Sequence, residues 1–590
     1  MSAGEKRRRL AVGGICAARL FLLVVLAVVL AQPRAQDDQQ SGAVRTGKDP
    51  AEQGPAGERS AAPPEILSEH PSGPFDRARL AEQKRRWKEA LETYRSARQT
   101  APDDPALLAG ESRCLLRLDQ FREALAAAEK AVAAARAPAA VSTEESAARG
   151  AATAASVTLG GEALVAYGEA LIRAGELERA AEAFSRAVET TPSLAHAHLG
   201  LGRMMIARGD VEKGIAELQR AYEIAPDDPD VLFHYAGALA QRQDAAAVLS
   251  RYLELSEGEE EAQRESVRAT IAFYRALGET PLWLLQEKPA RSEIPIWPIS
   301  KTPGVLDGYA MELKAPEKAA ERGKRVKERK LRCLLDTGAS GLFLSARAAE
   351  GIALRSLSQG ALFGGGGTGR HQTSRGLIDS LSLGEVVFRN AAAIVASGNV
   401  DPLGRYDGIL GADVLDSFRL TIDLRGRRLV LEDPEAAARS GARARGKGPS
   451  DRSPASSGAP PVRIWRIEGQ LLVRVGLNGG KSALMMLDTG ASRTVLGLAA
   501  ASGLDGIGRR KRSARTYGFG GSLEKVEDIE GLSLSFAGLK PKSLSVVGID
   551  LSSRSRLVGT EISGYLGLDV LRDLSLEFEP GLRGLSIRGR

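Results

Sequence analysis

The chain has 590 residues, enough for several domains, and 43 % hydrophobic with 26 % charged residues is an ordinary globular balance. Its formal charge is +7, concentrated in residues 6–9, 322–332, 439–452 and 509–512. No aromatic interleaving or nucleic-acid motif accompanies these runs, so they read as solvated loops and not as a nucleic-acid footprint. The three cysteines, Cys16, Cys114 and Cys333, fall in different segments, and no stabilising disulfide is expected.

Basic residues 6–9 precede an apolar run of twelve, residues 20–31. Val29 and Ala31 supply small side chains at the −3 and −1 positions for cleavage before Gln32, the layout of a secretory signal peptide. The run is short of the roughly 20 apolar residues of a membrane span. Extended back to Ala11 it is interrupted by Arg19, so an uncleaved N-terminal anchor is the alternative. Either way the bulk of the chain is expected outside the cytoplasm, periplasmic or extracellular. Residues 32–70, rich in Gln, Asp, Gly, Ser and Pro, read as a disordered linker.

Residues 71–278 then repeat with a period of 34. Trp87 and Ala90 recur as Phe121 and Ala124; Ala180, Phe184, Ala187 and Pro192 recur as Gly214, Leu218, Ala221 and Pro226. An Ala/Ser/Thr-rich insertion near residues 137–157 separates the two registers. Pro102-Asp103-Asp104-Pro105 and Pro226-Asp227-Asp228-Pro229 carry helix stop and N-cap chemistry. This pattern resembles the tetratricopeptide repeat, which implies an all-α solenoid of helix pairs able to hold a peptide or protein partner in its groove. Four units are recognisable, and residues 231–255 read as a degenerate fifth, a solubilising cap. His196, His198 and His234 lie on these helices with no carboxylate or cysteine at ligand spacing, so no metal is expected.

Beyond Pro281 short Val/Ile/Leu-rich runs separated by glycines replace the helical period, as all-β domains read. Strands are predicted at residues 308–313, 330–335, 380–383, 392–396, 418–423 and 428–431, then at 470–477, 482–487, 572–578 and 585–588. The same features occur twice in the same order. Leu334-Leu335-Asp336-Thr337-Gly338-Ala339-Ser340 matches Met486-Leu487-Asp488-Thr489-Gly490-Ala491-Ser492. A glycine-rich segment follows each: Gly364, Gly365, Gly366 and Gly367 in the first half, Tyr517, Gly518, Gly520 and Gly521 in the second. Each half then has a hydrophobic-Gly motif, Ile409-Leu410-Gly411 and Tyr565-Leu566-Gly567. Two aspartates sharing one water are sufficient for peptide hydrolysis: like charges that close cannot both ionise, so one becomes the base and the other the acid. Cys333, with no histidine near it in sequence, reads as a strand residue and not as a nucleophile. The glycine run near Gly364 lacks the Lys-Ser/Thr of a phosphate-binding loop, and only His371 of five histidines falls in this region, which disfavours a metal hydrolase.

These motifs resemble the retropepsin-like aspartic proteases. The resemblance implies two all-β acid-protease lobes, residues 296–432 and 462–590, joined by a flexible linker at 433–461. It implies Asp336 and Asp488 as the catalytic pair, no cofactor, and a peptide or protein substrate. Thr337 and Thr489 would hold the lobe interface, Gly338 and Gly490 would allow close packing, and the glycine-rich segments would be flaps over an extended peptide. Ala339 and Ala491 replace the hydroxyl residue common in pepsin-like enzymes, which removes a donor to the carboxylate and predicts an optimum less acidic than pepsin's. Two other readings remain: a non-catalytic peptide-binding or assembly protein working through its repeats, and lobes that pair between chains instead of within one.

Overall fold

The computed structural model describes residues 73–588 except 137–145, 240, 257–260, 301–305, 319–326, 364–369, 397–405, 437–460, 512–515, 519–520, 524–525 and 540–541. The leader, the first linker and most of the second lie outside these residues.

Eleven helices make up the first region among the described residues. Five pairs are α1 Pro74–Gln83 with α2 Trp87–Ala97, α3 Pro105–Arg117 with α4 Phe121–Arg136, α5 Ser146–Arg173 with α6 Leu177–Thr190, α7 Ala195–Arg208 with α8 Val211–Ile224, and α9 Pro229–Ala238 with α10 Arg242–Leu255; α11 Glu261–Leu277 follows. The Asp-Asp-Pro turns do what their chemistry dictates. Asp104 Oδ1 accepts from the N–H groups of Ala106 and Leu107, and Asp228 Oδ1 from those of Asp230 and Val231, with proline at the first helical position. The small residues of the repeat mark close helix contacts. A Cβ on Gly200 would lie 2.1 Å from the Phe184 ring and one on Gly168 2.6 Å from it, so Phe184 is wedged between α5 and α7. The insertion appears as an N-terminal extension of α5, 28 residues long. The expected cap is not terminal: α9 and α10 pack with α11 and with the β region in one apolar cluster, so they are covered on the side a cap would expose.

Two β lobes follow. In the first, strand Gly308–Pro316 pairs antiparallel with Glu328–Asp336, and the short strand Gly408–Gly411 lies parallel to the latter, Gly411 opposite Asp336. In the second, Gln470–Leu477 pairs with Lys481–Leu487, and Gly564–Leu566 runs parallel to that strand, Leu566 opposite Leu487. Strand alternation separates the faces. Leu331, Cys333 and Leu335, like Ala483, Met485 and Leu487, enter one large core. Leu334 and Met486 face the other way.

Strands from both lobes join in one sheet. Arg419–Asp423 pairs antiparallel with Ser575–Phe578, Leu420 opposite Phe578, and Arg428–Glu432 and Gly584–Arg588 flank them. Arg291–Pro295 adds to its edge, so strands belonging to the first lobe begin ahead of residue 296. The strand expected from residue 572 begins at Ser575, because Leu568–Leu571 forms a helical turn. The lobes are thus fastened within a single chain.

Successive helix-pair turns rest on the second lobe. Asp119 pairs with Arg556 at 2.9 Å, the carbonyls of Ile172 and Arg173 accept from Thr560 Oγ1 and Glu561 N, and Gly209 abuts Arg583. Arg474 donates to the Gly175 carbonyl and to Glu178, which also accepts from Trp465 Nε1. At the far end α11 lies against strand Leu354–Phe363, and its Thr270 hydroxyl meets Arg375.

Candidate active site

Asp336 ends its strand and Asp488 immediately follows its own, and the turn after each is stitched by its own carboxylate. Asp336 Oδ1 accepts from Gly338 N at 2.8 Å; Asp488 Oδ1 accepts from Gly490 N and Ala491 N at 2.9 Å. The threonines bind the turns to each other. Thr337 Oγ1 donates to the Leu487 carbonyl at 2.8 Å and accepts from Thr489 N at 3.0 Å, while Thr489 Oγ1 donates to the Leu335 carbonyl and accepts from Thr337 N. A Cβ on Gly338 would stand 2.8 Å from the Asp488 carboxyl carbon, and one on Gly490 2.6 Å from that of Asp336. No side chain larger than hydrogen fits at either position, and the two carboxyls are brought face to face across the lobe interface.

Both aspartates are buried, 1 % and 0 % exposed. Neither Oδ2 receives a hydrogen bond from the backbone or from any side chain outside the pair, and the two carboxyls act directly on each other. Burial pushes Asp336 up to about 6, against the pull of backbone N–H groups and of the shared proton. Burial and the neighbouring Asp336 charge hold Asp488 well above the usual carboxylate range. Two carboxyls raised together in this way share one proton, so that one member of the pair can serve as acid and the other as base.

The hydrophobic-Gly segments brace this centre. The Leu566 carbonyl accepts from Asp488 N, and Gly411 N and Gly567 N donate to Gly341 O and Thr494 Oγ1. Two carboxylates to which the sequence reading gave no role complete the brace. Asp413 Oδ1 accepts from Gly341 N, and Asp569 Oδ1 from both Thr494 N and its hydroxyl. The sequence does carry their signal, since an aspartate stands two residues after each motif glycine. A third unforeseen residue is Arg554, on α12 Ser552–Val558, 2 % exposed and within electrostatic reach of both dyad carboxylates. Cys333 is a buried core residue whose thiol burial pushes far up, which suits packing and not nucleophilic attack. Gly364–367 and Gly520 lie outside the described residues; Tyr517, Gly518 and Gly521 belong to a hairpin, Thr516–Gly518 with Gly521–Leu523. The fold does place carboxylates beside a histidine, contrary to the sequence expectation: His196, Asp228 and Asp230 converge, but Asp230 is paired with Arg117 and approached by Arg85.

Residues 324–414 and 473–570 match the family model for aspartyl proteases, one match per lobe. Residues 145–195 and 165–229 match the model for the tetratricopeptide repeat. The chain carries aspartyl protease and tetratricopeptide repeat domains. The dyad, the threonine pair and the hydrophobic-Gly segments of the aspartyl protease lobes all fall within or beside the matched residues. Among solved structures, TTC0263, a thermophilic TPR protein in Thermus thermophilus, is 22 % identical, covers 34 % of this chain and 97 % of its own, with a TM-score of 0.25. YrrB, a TPR protein with an unusual peptide-binding site, is 18 % identical over 30 % of this chain and 82 % of its own, with a TM-score of 0.19. PilF of Pseudomonas aeruginosa is 15 % identical over 34 % and 81 %, with a TM-score of 0.23. These likenesses carry no functional argument. No curated protein matches the chain.

Proposed function

We propose that this chain is an exported aspartic endopeptidase. Asp336, ionised, takes a proton from a water that attacks the scissile carbonyl, and Asp488, protonated, donates to the carbonyl oxygen. The observation that carries the reading is the pair itself: two buried carboxyls, cross-braced by Thr337 and Thr489, with their outer oxygens bonded by no protein donor. A buried, mutually repelling pair is costly to fold and has no use in a purely structural lobe. The repeat region recruits substrate or a partner, the general use of such arrays. The apolar run at residues 20–31 supports export, with the N-terminal segment as signal or anchor.

The test is cleavage of a mixed peptide library by the full chain between pH 3 and 8, beside Asp336→Asn and Asp488→Asn. Loss of cleavage by about a thousandfold or more in either variant is expected, because the two groups act as one unit. A folded wild type that cleaves nothing, with function unchanged in both variants, would instead favour a binding or assembly protein acting through the repeats.

A further inference from the structure

The two lobes present different chemistry on the face that carries the dyad. In the first, Leu334, Phe343 and Ile409 sit side by side on that face, Ile409 in register with both neighbours, and all three are apolar. The second lobe has the same register with Met486, Val495 and Tyr565. The Ile409 position has become a tyrosine, and α12 brings an arginine over it.

Arg554 Nη2 donates to Gln470 Oε1 at 2.8 Å and lies 3.9 Å from Met486 Sδ. Met486 is two residues before Asp488 on the same side of the strand. Gln470 follows Gly469, whose carbonyl accepts from Ser340 Oγ across the lobe interface. The guanidinium therefore sits at the seam of the lobes, beside the dyad. It feels Tyr565, Asp488 and Asp336 electrostatically. Tyr565 is fully buried, and its hydroxyl has no hydrogen-bond partner in the protein. A buried hydroxyl without a partner disfavours folding, and a phenylalanine there would avoid that cost.

We propose that Arg554 and Tyr565 form a carboxylate-recognising subsite against the second lobe, so that the enzyme favours peptides with Asp or Glu next to the scissile bond. The guanidinium supplies the positive charge that draws the carboxylate, and the Tyr565 hydroxyl donates a hydrogen bond to it. Met486 and Val495 contact the methylene part of the same side chain. The first lobe, with Leu334, Phe343 and Ile409, takes an apolar residue on the other side of the bond. This inference rests on the endopeptidase reading above.

The experiment uses the full chain and one peptide sequence varied at the residue flanking its cleaved bond: Glu, Gln, Leu or Lys, each with a free and an amidated C-terminus. The wild type is expected to prefer Glu over Gln by about tenfold or more in kcat/KM, as a charge-assisted pair allows. The preference should be the same for amidated peptides. Arg554→Gln should bring the Glu/Gln ratio to about one, Arg554→Lys should keep part of it, and Tyr565→Phe should lower it several-fold. Equal cleavage of Glu and Gln peptides by the wild type overturns the proposal. So does an Arg554→Gln variant that loses rate on all eight peptides alike, which would make the arginine only a counter-charge for the dyad. Preference confined to free C-termini would assign the subsite to a chain terminus and refute the side-chain reading. If the wild type cleaves nothing, the endopeptidase reading fails, and fluorescence anisotropy of the labelled Glu and Gln peptides decides the subsite: tighter Glu binding, lost in Arg554→Gln, supports it, and equal binding refutes it.

Discussion

Asp336 and Asp488 face each other where neither can ionise as it would in water. Asp336 is pushed up to about 6 by burial, and burial with the neighbouring Asp336 charge holds Asp488 well above the usual carboxylate range. On the endopeptidase reading the working form carries one proton on the pair, so kcat/KM should rise as the pair loses its first proton, near pH 6, and fall as it loses the second. The methyl groups of Ala339 and Ala491, both buried, offer no hydroxyl to lower these values. A pH–rate profile peaking below about pH 3 would refute this, given unperturbed carboxyl values near 4. Stability must move with the same groups. The folded chain holds the dyad protons more tightly than the unfolded chain, so it binds more protons between about pH 4 and 6. The contribution is complete below pH 4 and is lost as pH rises through 6, on the order of 3 kcal/mol for a two-unit shift. Asp413, half-buried and also pushed up to about 6 by desolvation, adds in the same sense. Asp488→Asn should therefore flatten, without abolishing, the fall in unfolding midpoint over that pH range.

At the scale of elements, the threonine cross-brace decides whether two lobes make one site. Thr337→Ala would leave the Leu487 carbonyl without its donor and Thr489 N without its acceptor, both buried. Each orphaned group costs about 1–3 kcal/mol, so a loss of roughly 2–6 kcal/mol is expected in urea unfolding, with activity falling at least about tenfold. Thr337→Ser keeps the hydroxyl and should lose far less. If alanine matches the wild type in both measurements, the brace is not what holds the dyad. This part of the molecule was legible in sequence because its chemistry is local and repeated. Asp-Thr-Gly, the hydrophobic-Gly motif and the 34-residue period each state their own geometry. The sheet joining the lobes was not legible. Leu420 meets Phe578 from 158 positions away, and nothing in either short apolar strand names its partner. Arg554 escaped for the same reason: a seven-residue helix carries no motif, and its burial beside the dyad is set by how α12 folds back over Gln470 and Met486.

For the whole molecule, the helical region covers the face on which the proposed endopeptidase would bind its substrate. Leu334, Phe343 and Ile409 pack in one cluster with residues of α9, α10 and α11, and Met486, Val495 and Tyr565 pack in another with residues of α3 to α7. An extended peptide lying across both aspartates needs those same surfaces, so the helices must shift before it can bind. The contact on the second lobe is part apolar and part electrostatic, with Arg474 at its edge bonded to Gly175 and Glu178 and 3.9 Å from Glu176. Arg474→Glu would set three carboxylates against one another and loosen the turn between α5 and α6. Several-fold faster peptide cleavage is expected, together with faster amide hydrogen exchange around residues 173–178. Adding Glu178→Arg to that variant restores an opposite-charge pair and should return both measurements toward the wild type. Unchanged cleavage in Arg474→Glu, with exchange faster at the turn, would show that the helices frame the cleft without closing it. Slower cleavage rescued by the second substitution would make the same contact a wall of the substrate site.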